Sequence, residues 1–426
     1  MRVLVIGGGA REHAICWALA RSLRLSALYC APGNGGTAAL AENVPLDPMD
    51  FAACAEWAER HAVDLTIVGP DDPLGGGIVD IFQARGLAVF GPTKAAARIE
   101  SSKVWAKQLL QSVGVPTARA EIFTDRAAAE AYLHDYIAAS GSFPIVVKAS
   151  GLAAGKGVVI AAEVPAARQA LDDFMLAGTV GSAGAEVVIE EYLQGPEVSV
   201  FAVCDGERFV TLVPACDYKR AYDYDTGPNT GGMGAYSPPG FVTADALAQI
   251  ERRILQPTIG ALARAGAPFR GVLYAGLMLT ASGPYVLEFN ARLGDPETQV
   301  LLPRLTSDFL ELCLAAASGR LDTVPPPTWS AKAACGVVVA SSGYPGAFER
   351  GHEITGLHRL PSDLLAFHAG TRREPGGRLV TFGGRVLTVV ALAETMAAAR
   401  ERVYAHIGEV HFTGARWRTD IAAREA

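Results

Sequence analysis

Val286-Leu287-Glu288-Phe289-Asn290-Ala291-Arg292-Leu293-Gly294-Asp295-Pro296-Glu297-Thr298-Gln299 begins as a strand and ends as a charged loop. Alternate side chains of a strand share a face. Glu288 and Asn290 therefore point one way, and Leu287 and Phe289 the other. One face is apolar; the other offers a carboxylate and an amide oxygen, ligands suited to a hard cation such as Mg2+. Arg292, Asp295 and Glu297 follow at once, more charge than a turn requires. Taken alone, Glu288 reads better as a half-buried strand residue beside a solvated turn. The whole run, taken with glycine loops elsewhere in the chain, favours a metal site.

At 426 residues the chain is too long for one ordinary domain. Half of its residues are hydrophobic and 19% are charged, so sizeable cores can form. A net charge of -7 argues against general nucleic-acid binding, which needs basic faces. Phosphate ligands stay open, because local loops and a metal can outweigh the global sign. The seven cysteines are scattered, odd in number and free of any C-x-x-C, as expected of reduced thiols in a cytoplasm. The chain runs directly into Val3–Ile6 without a signal-peptide pattern, and no uncharged apolar run reaches membrane-span length.

Residues 1–100 alternate short apolar runs with Ala-rich amphipathic segments. Val3–Ile6, Ala27–Cys30, Leu65–Val68 and Ala88–Phe90 read as buried strands of a parallel sheet. Glycine-bearing loops follow three of them, at the strand ends where such sheets place ligands. Later, Ile145–Lys148 and Val158–Ile160 flank Gly151–Gly157 as a hairpin-like pair, and Val187–Leu193 reads as another strand. Val198–Cys204, Phe209–Val213, Leu273–Leu279 and Tyr285–Phe289 suggest a broad antiparallel sheet. Pro325-Pro326-Pro327 is a stiff break, followed by strands at Cys335–Ala340 and Arg385–Ala391 and a helix over 393–407.

Gly7-Gly8-Gly9-Ala10 lies between a strand and a helix. It fails the dinucleotide fingerprint, because Glu12 stands where the third glycine belongs and no acid ends the second strand. A phosphate-type ligand at this helix start is the favoured expectation, ahead of plain tight packing. Gly151–Gly157 lacks Walker A spacing and leads into a strand, so it reads as a glycine flap with Lys156 at its tip; a plain flexible hairpin is the alternative. Lys148 ends an apolar strand, where its charge is costly unless it meets an anion. Lys103 is by default a surface helix lysine. Glu190, Leu193 and Glu197 sit where a strand end could read an adenine edge and a ribose; solvated turn acids read equally well there. Asp217 to Tyr236 is a long polar, glycine-rich excursion, which favours a substrate loop. No zinc spacing and no serine nucleophile elbow is present.

With these residues in place, the chain resembles the phosphoribosylamine–glycine ligase family of the ATP-grasp superfamily nearly end to end. Arg11-Glu12-His13-Ala14, Pro32-Gly33-Asn34, Gly69-Pro70, Gly151–Val158, Asp225–Pro238, Glu288–Gln299, Ser342–Gly346 and Phe367–Thr371 carry the match. The resemblance implies an α/β and α+β multidomain chain. Its N-terminal parallel α/β domain (1–102) is Rossmann-like, of the pre-ATP-grasp kind. An ATP-grasp domain (103–325) follows, with a lid subdomain at about 120–192, and then a small mixed α/β C-terminal domain (326–426). It implies ATP with Mg2+ or Mn2+, and ligation of glycine to 5-phosphoribosylamine through glycyl phosphate. A cytoplasmic monomer is the expectation, with an oligomer left open.

Glu288 and Asn290 would hold the metal. Lys103, Lys148, Gly151, Gly155, Lys156, Gly157, Glu190, Leu193, Glu197 and Leu287 would meet the nucleotide. Arg292, Asp295 and Asp217 would meet glycine and the acyl phosphate, and the N-terminal glycine loops would help hold phosphoribosylamine. The chain departs from the family at Gly8, Ala10, Ser150, Cys216, Tyr218 and Leu293. The alternatives are another ATP-grasp carboxylate–amine ligase, a nicotinamide-dependent oxidoreductase and a non-catalytic nucleotide-binding module.

Overall fold

The computed structural model describes residues 1–140, 143–152 and 157–425. Strands β1 (Arg2–Gly7), β2 (Ala27–Pro32), β3 (Glu42–Asn43), β4 (Leu65–Val68) and β5 (Val89–Phe90) form a parallel sheet in the order β3-β2-β1-β4-β5. β1 is an unbroken apolar run because both its faces are covered. Leu4 and Ile6 enter one core with Cys54 and Phe82, whereas Val3 and Val5 enter another with Ala14 and Ile15. Helix α1 (Ala10–Leu19) covers the second face, and α2 (Phe51–Arg60), α3 (Asp71–Gly76) and α4 (Ile78–Ala84) follow in the chain. Two further helices, α5 (Lys94–Ser101) and α6 (Lys103–Ser112), lead out of this unit.

The next unit has strands β6 (Ala120–Phe123), β7 (Ile145–Ala149), β8 (Val158–Ala161) and β9 (Val187–Glu191) in the antiparallel order β6-β9-β7-β8. Helices α7 (Arg126–Ser140) and α8 (Val164–Met175) back it. The expected hairpin around the glycine loop is β7 and β8. β9 ends at Glu191, so Tyr192 and Leu193 lie beyond the strand rather than in it. This lid has an apolar core of its own, built from Leu133, Ile145, Val147, Leu171, Phe174, Val187 and Ile189.

The broad antiparallel sheet contains β10 (Glu197–Asp205) and β11 (Phe209–Thr211). After β12 (Cys216–Asp217), β13 (Arg220–Tyr222), β14 (Thr226–Asn229) and β15 (Gly234–Ser237), it resumes with β16 (Arg270–Thr280) and β17 (Gly283–Asn290). Its order is β11-β10-β16-β17. The C-terminal sheet takes β18 (Ala333–Ser341), β19 (Leu365–His368) and, after the ribbon β20 (Thr371–Arg373) and β21 (Leu379–Thr381), β22 (Arg385–Ala393). β12 and β15 join this sheet in the order β12-β15-β18-β22-β19, with Tyr236 opposite Cys335. The excursion expected inside the 103–325 domain is therefore partly annexed by the C-terminal sheet, and 325 is not a clean boundary. The two large cores confirm this mixing. One contains Ile6, Phe269 and Val389, and the other Val5, Phe201 and Val390. Among the described residues, neither includes any position from 120 to 191, so the lid alone stands apart.

The C-terminal region also closes over the first glycine loops. Asn34 Nδ2 donates to Gly8 O at 3.0 Å and to His368 O at 2.6 Å, and His368 N donates to His13 Nδ1 at 2.8 Å. Burial pushes His13 down to about 3, with His368 beside it adding to the shift, and burial pushes His368 down to about 4. The folded state thus favours neutral imidazoles, and the His368 N–H needs the unprotonated His13 Nδ1.

Stability from these two groups should be fully present above their unfolded value of about 6.5. It should fall as pH drops from there toward 4, by up to about 1.4 kcal/mol per pH unit for each. Denaturant midpoints at pH 8, 6.5, 5 and 4 should show a shallower acid loss for His13→Gln than for the unaltered chain. Equal slopes would remove this seam as a source of acid sensitivity.

Candidate active site

Strand β17 positions the metal candidates, but its alternation breaks at one residue. Glu288 lies opposite Gly276 and Val286 opposite Leu277, which leaves Leu287 unpaired in a bulge. A bulge turns one residue out of the pleat. Val286 and Phe289 enter the core, whereas Leu287 stays half-buried outside it. The expectation that Leu287 and Phe289 share an apolar face is thereby corrected. The bulge frees the Leu287 carbonyl, which accepts from Lys148 Nζ at 2.9 Å. Lys148 belongs to the lid strand β7, so this bond joins the lid to the strand bearing Glu288.

The other oxygen near Lys148 is Glu190. Its Oε2 lies 2.7 Å from Lys148 Nζ, and its Oε1 lies 2.7 Å from Lys107 Nζ. Burial alone would raise the Glu190 carboxyl, but the Lys148 and Lys107 ammoniums outweigh it and hold it below its ordinary value. Burial also pulls the Lys107 ammonium down. Glu190, Thr117 Oγ1 at 2.7 Å and the Ala118 carbonyl at 3.1 Å surround that ammonium with acceptors, so its charged form holds. The Glu190 carboxylate is therefore occupied by two lysines and is not free to read an adenine edge, and its backbone lies inside the lid sheet, opposite Ala120 on one side and Val146 on the other.

Lys103 caps the same corner. Its N–H donates to Ser150 O at 2.8 Å and its Nζ to Gly151 O at 3.2 Å, at the base of the glycine loop. Ala149 N bonds Gly157 O at 2.8 Å and closes that base. A side chain at Gly151 would come within 2.8 Å of the Ala183 backbone, which explains the glycine. Gly155 and Lys156 lie outside the described residues. A cleft of about 560 Å³ opens beside this base, lined by Asp72, Gly76, Ser102, Ser150, Leu152 and Glu186. Neither Glu288 nor Asn290 lines it.

Glu288 sits among cations. Burial would raise its carboxyl, yet Lys219, Lys103, Lys148 and Arg292 together hold it below its ordinary value. Asn290 Oδ1 accepts from Arg292 Nη2 at 3.1 Å, and Arg292 also pairs with the buried Glu100 at 3.0 Å. Arg292 Nε is buried without a partner among the described atoms. One carboxylate and one amide oxygen suit a hard cation, and no three His, Cys, Asp or Glu groups gather into a metal cage among the described residues. A cation here would complete its shell with oxygens from a substrate and water.

The remaining candidates fall into two groups. Asp217 has Lys219, Glu297, Glu197 and Glu288 for electrostatic neighbours; burial pushes its carboxyl up, to about 7, against the pull of Lys219. Lys219 pairs with Glu197 at 2.9 Å, so the ribose candidate has a partner. Asp295 instead faces arginines. It lies 3.2 Å from Arg385 Nη2 and accepts from Gln299 Nε2 at 2.7 Å. Burial raises its carboxyl, but Arg385 and Arg11 bring it below its ordinary value.

The first glycine loop differs from expectation. Gly9 N donates to Glu12 Oε2 at 2.6 Å, and a Cβ at Gly69 would strike Glu12 Oε1 at 2.0 Å. The chain's own carboxylate fills the anion position at the start of α1, and Arg11 Nε pairs with it at 2.6 Å. Glycines are needed there to admit Glu12, not a phosphate.

Sequence reasoning passed over Lys107, Glu100 and Arg385, and noted Glu297 and the segment holding Lys219 without giving either residue a role. For Lys107 a signal existed: it follows Lys103 by four positions in one helix, hence on the same face.

Comparisons with known proteins agree with this layout. Residues 1–100, 101–298 and 334–424 match the N domain, the ATP-grasp (A) domain and the C domain of phosphoribosylglycinamide synthetase. The phosphoribosylamine–glycine ligase of Nostoc sp. is 48% identical, covering 100% of this chain and 99% of its own. A crystal structure of phosphoribosylamine–glycine ligase from Thermotoga maritima superposes with a TM-score of 0.86 at 36% identity, covering 99% of this chain and 100% of that one. A biotin carboxylase from Campylobacter jejuni, at 15% identity and a TM-score of 0.74 over 99% and 98% of the two chains, shares the fold alone.

The Asp217 carboxyl, raised in the folded chain, contributes stability that is complete below pH 4 and lost as pH rises through about 7. Asp217→Asn should therefore stabilise the chain at pH 8 by about 1–3 kcal/mol and leave it nearly unchanged at pH 4. Denaturation at the two pH values measures this; a variant equally shifted at both would show that Asp217 is not strained as an anion.

Proposed function

Because the chain belongs to the phosphoribosylamine–glycine ligase family, its reaction is the ATP-dependent ligation of glycine to 5-phosphoribosylamine in purine biosynthesis, and we propose that this carbon–nitrogen bond forms in the cleft between the lid and β17. The observation that carries this reading is the Lys148 ammonium, held 2.9 Å from the Leu287 carbonyl and thus one residue from Glu288. Glycine carboxylate attacks the γ-phosphorus of ATP, ADP leaves, and glycyl phosphate forms. The phosphoribosylamine nitrogen then attacks the acyl carbon, its proton is lost, and phosphate departs. Little covalent work falls to the protein; it positions the reactants and offsets their charge.

Lys103 and Lys148 meet the phosphates of the nucleotide. Glu190 and Leu193 sit at the adenine, Glu197 with Lys219 lies toward the ribose, and Leu287, turned out by its bulge, meets the nucleotide. Glu288 and Asn290 would hold Mg2+ or Mn2+, which when bound neutralises charge on the triphosphate tail. The loop with Gly151, Gly155, Lys156 and Gly157 shields the acyl phosphate from water. Arg292, with Nε unpartnered, and Asp295 and Asp217 contact glycine and the acyl phosphate. The chain works as a monomer in the cytoplasm, in keeping with seven free, buried cysteines. No described helix is long and apolar enough to cross a membrane.

ADP release should require glycine and freshly generated phosphoribosylamine together, with little when either is omitted. Glu288→Ala should lower turnover at least about 1,000-fold while leaving the unfolding midpoint within about 1 kcal/mol of the unaltered chain. Near-normal glycine-dependent ADP release by that variant would refute the metal assignment.

A further inference from the structure

Lys107 has no part in the reaction as described, yet it is 5% exposed and pairs with a buried carboxylate. Its ammonium meets three acceptors on two other pieces of the molecule. From α6 it pairs with Glu190 Oε1 on the lid strand β9, and it donates to Thr117 Oγ1 and Ala118 O on the segment entering the lid. Thr117 Oγ1 in turn donates at 2.9 Å to Val286 O, beside the Leu287 bulge. Lys148 meets the same Glu190 from the other side and donates to Leu287 O. The two lysines and one glutamate thus form a closed bracket around the joint between lid and core.

Charge counting gives the bracket a consequence. Two ammoniums and one carboxylate leave one net positive charge. Lys148 gives one N–H to Glu190 and one to Leu287 O, and keeps a third for a ligand. Were Lys107 absent, Glu190 would have a single cation to balance it. The buried carboxylate would draw Lys148 into full neutralisation, and the cleft would lose one unit of charge where a polyphosphate is expected.

We propose that Lys107 is a positioning residue for the nucleotide, acting through Glu190 to keep the charge and placement of Lys148 available to the phosphates. This rests on the reading that the nucleotide lies in the lid–core cleft. Its effect belongs to nucleotide binding and not to the acyl-transfer step. Lys107→Met removes the charge at similar length, Lys107→Arg keeps it, and the double variant Lys107→Met/Glu190→Gln restores one net positive charge by removing the carboxylate as well.

The test is titration calorimetry of MgADP with each full-length protein, paired with steady-state KM values for ATP and glycine. Lys107→Met should weaken MgADP binding and raise the ATP KM about tenfold or more, with kcat and the glycine KM within about twofold. Lys107→Arg should recover most of the affinity, and the double variant should bind MgADP more tightly than Lys107→Met alone. A role in packing alone predicts the reverse order for the double variant, and that order would overturn the proposal, as would unchanged MgADP affinity in Lys107→Met. If Lys107→Met does not fold, Lys107→Arg and the double variant decide. Binding by both within threefold of the unaltered chain supports the proposal, and weaker binding by the double variant overturns it. If the unaltered chain itself binds no MgADP, the placement of the nucleotide fails instead.

Discussion

The contact on which the site depends is the Lys148 ammonium, shared between the Glu190 carboxylate and the Leu287 carbonyl. Around it two kinds of cohesion meet. The N-terminal sheet, the broad antiparallel sheet and the C-terminal sheet draw on common apolar cores, with buried side chains each worth about 1.5–3 kcal/mol. The lid has its own apolar core, and among the described residues the bonds named here that tie it to the rest are polar. Polar bonds exchange with water or ligand at a net difference of about 0.5–1.5 kcal/mol, more where charge is involved. A ligand can therefore renegotiate the lid joint without disturbing the frame. The frame fixes Glu288 and Asn290, and the joint delivers Lys148 to them.

Electrostatics follows the same division. Four cations converge on Glu288, from α6, from β7 and from two loops, and together they favour its ionised form. Asp217, a few residues from Lys219, is pushed the other way by burial and by the carboxylates of Glu297, Glu197 and Glu288. Two acids that sense each other electrostatically are thus driven apart in proton affinity. Asp295 stands outside this pair, tied through Arg385 to the glycines of the 217–236 excursion by bonds to Gly231 O and Asp295 O.

Much of this was legible in the chain itself. The parallel sheet follows from apolar runs punctuated by glycine, and the hairpin around Gly151–Gly157 from the strand material on each side. The shared face of Glu288 and Asn290 follows from strand alternation. What escaped depended on contacts remote in sequence. The bulge at Leu287 is a register shift against β16, and nothing in residues 283–290 marks it. Glu12 filling its own glycine nest cannot be told locally from a nest left open for phosphate. The transfer of β12 and β15 to the C-terminal sheet depends on β18, about a hundred residues further on. Lys107 has meaning only beside Glu190, 83 residues away in the chain and 2.7 Å away in space.

Diffraction from crystals grown with ADP and Mn2+, with the manganese located by its anomalous scattering, tests the central claim most directly. The account places the ion within bonding distance of one oxygen of Glu288 and of Asn290 Oδ1, with the diphosphate against Lys148 and Lys103. An ion bound elsewhere, with Glu288 and Asn290 facing separate surroundings and Lys148 still engaged only by Glu190 and Leu287, would contradict it.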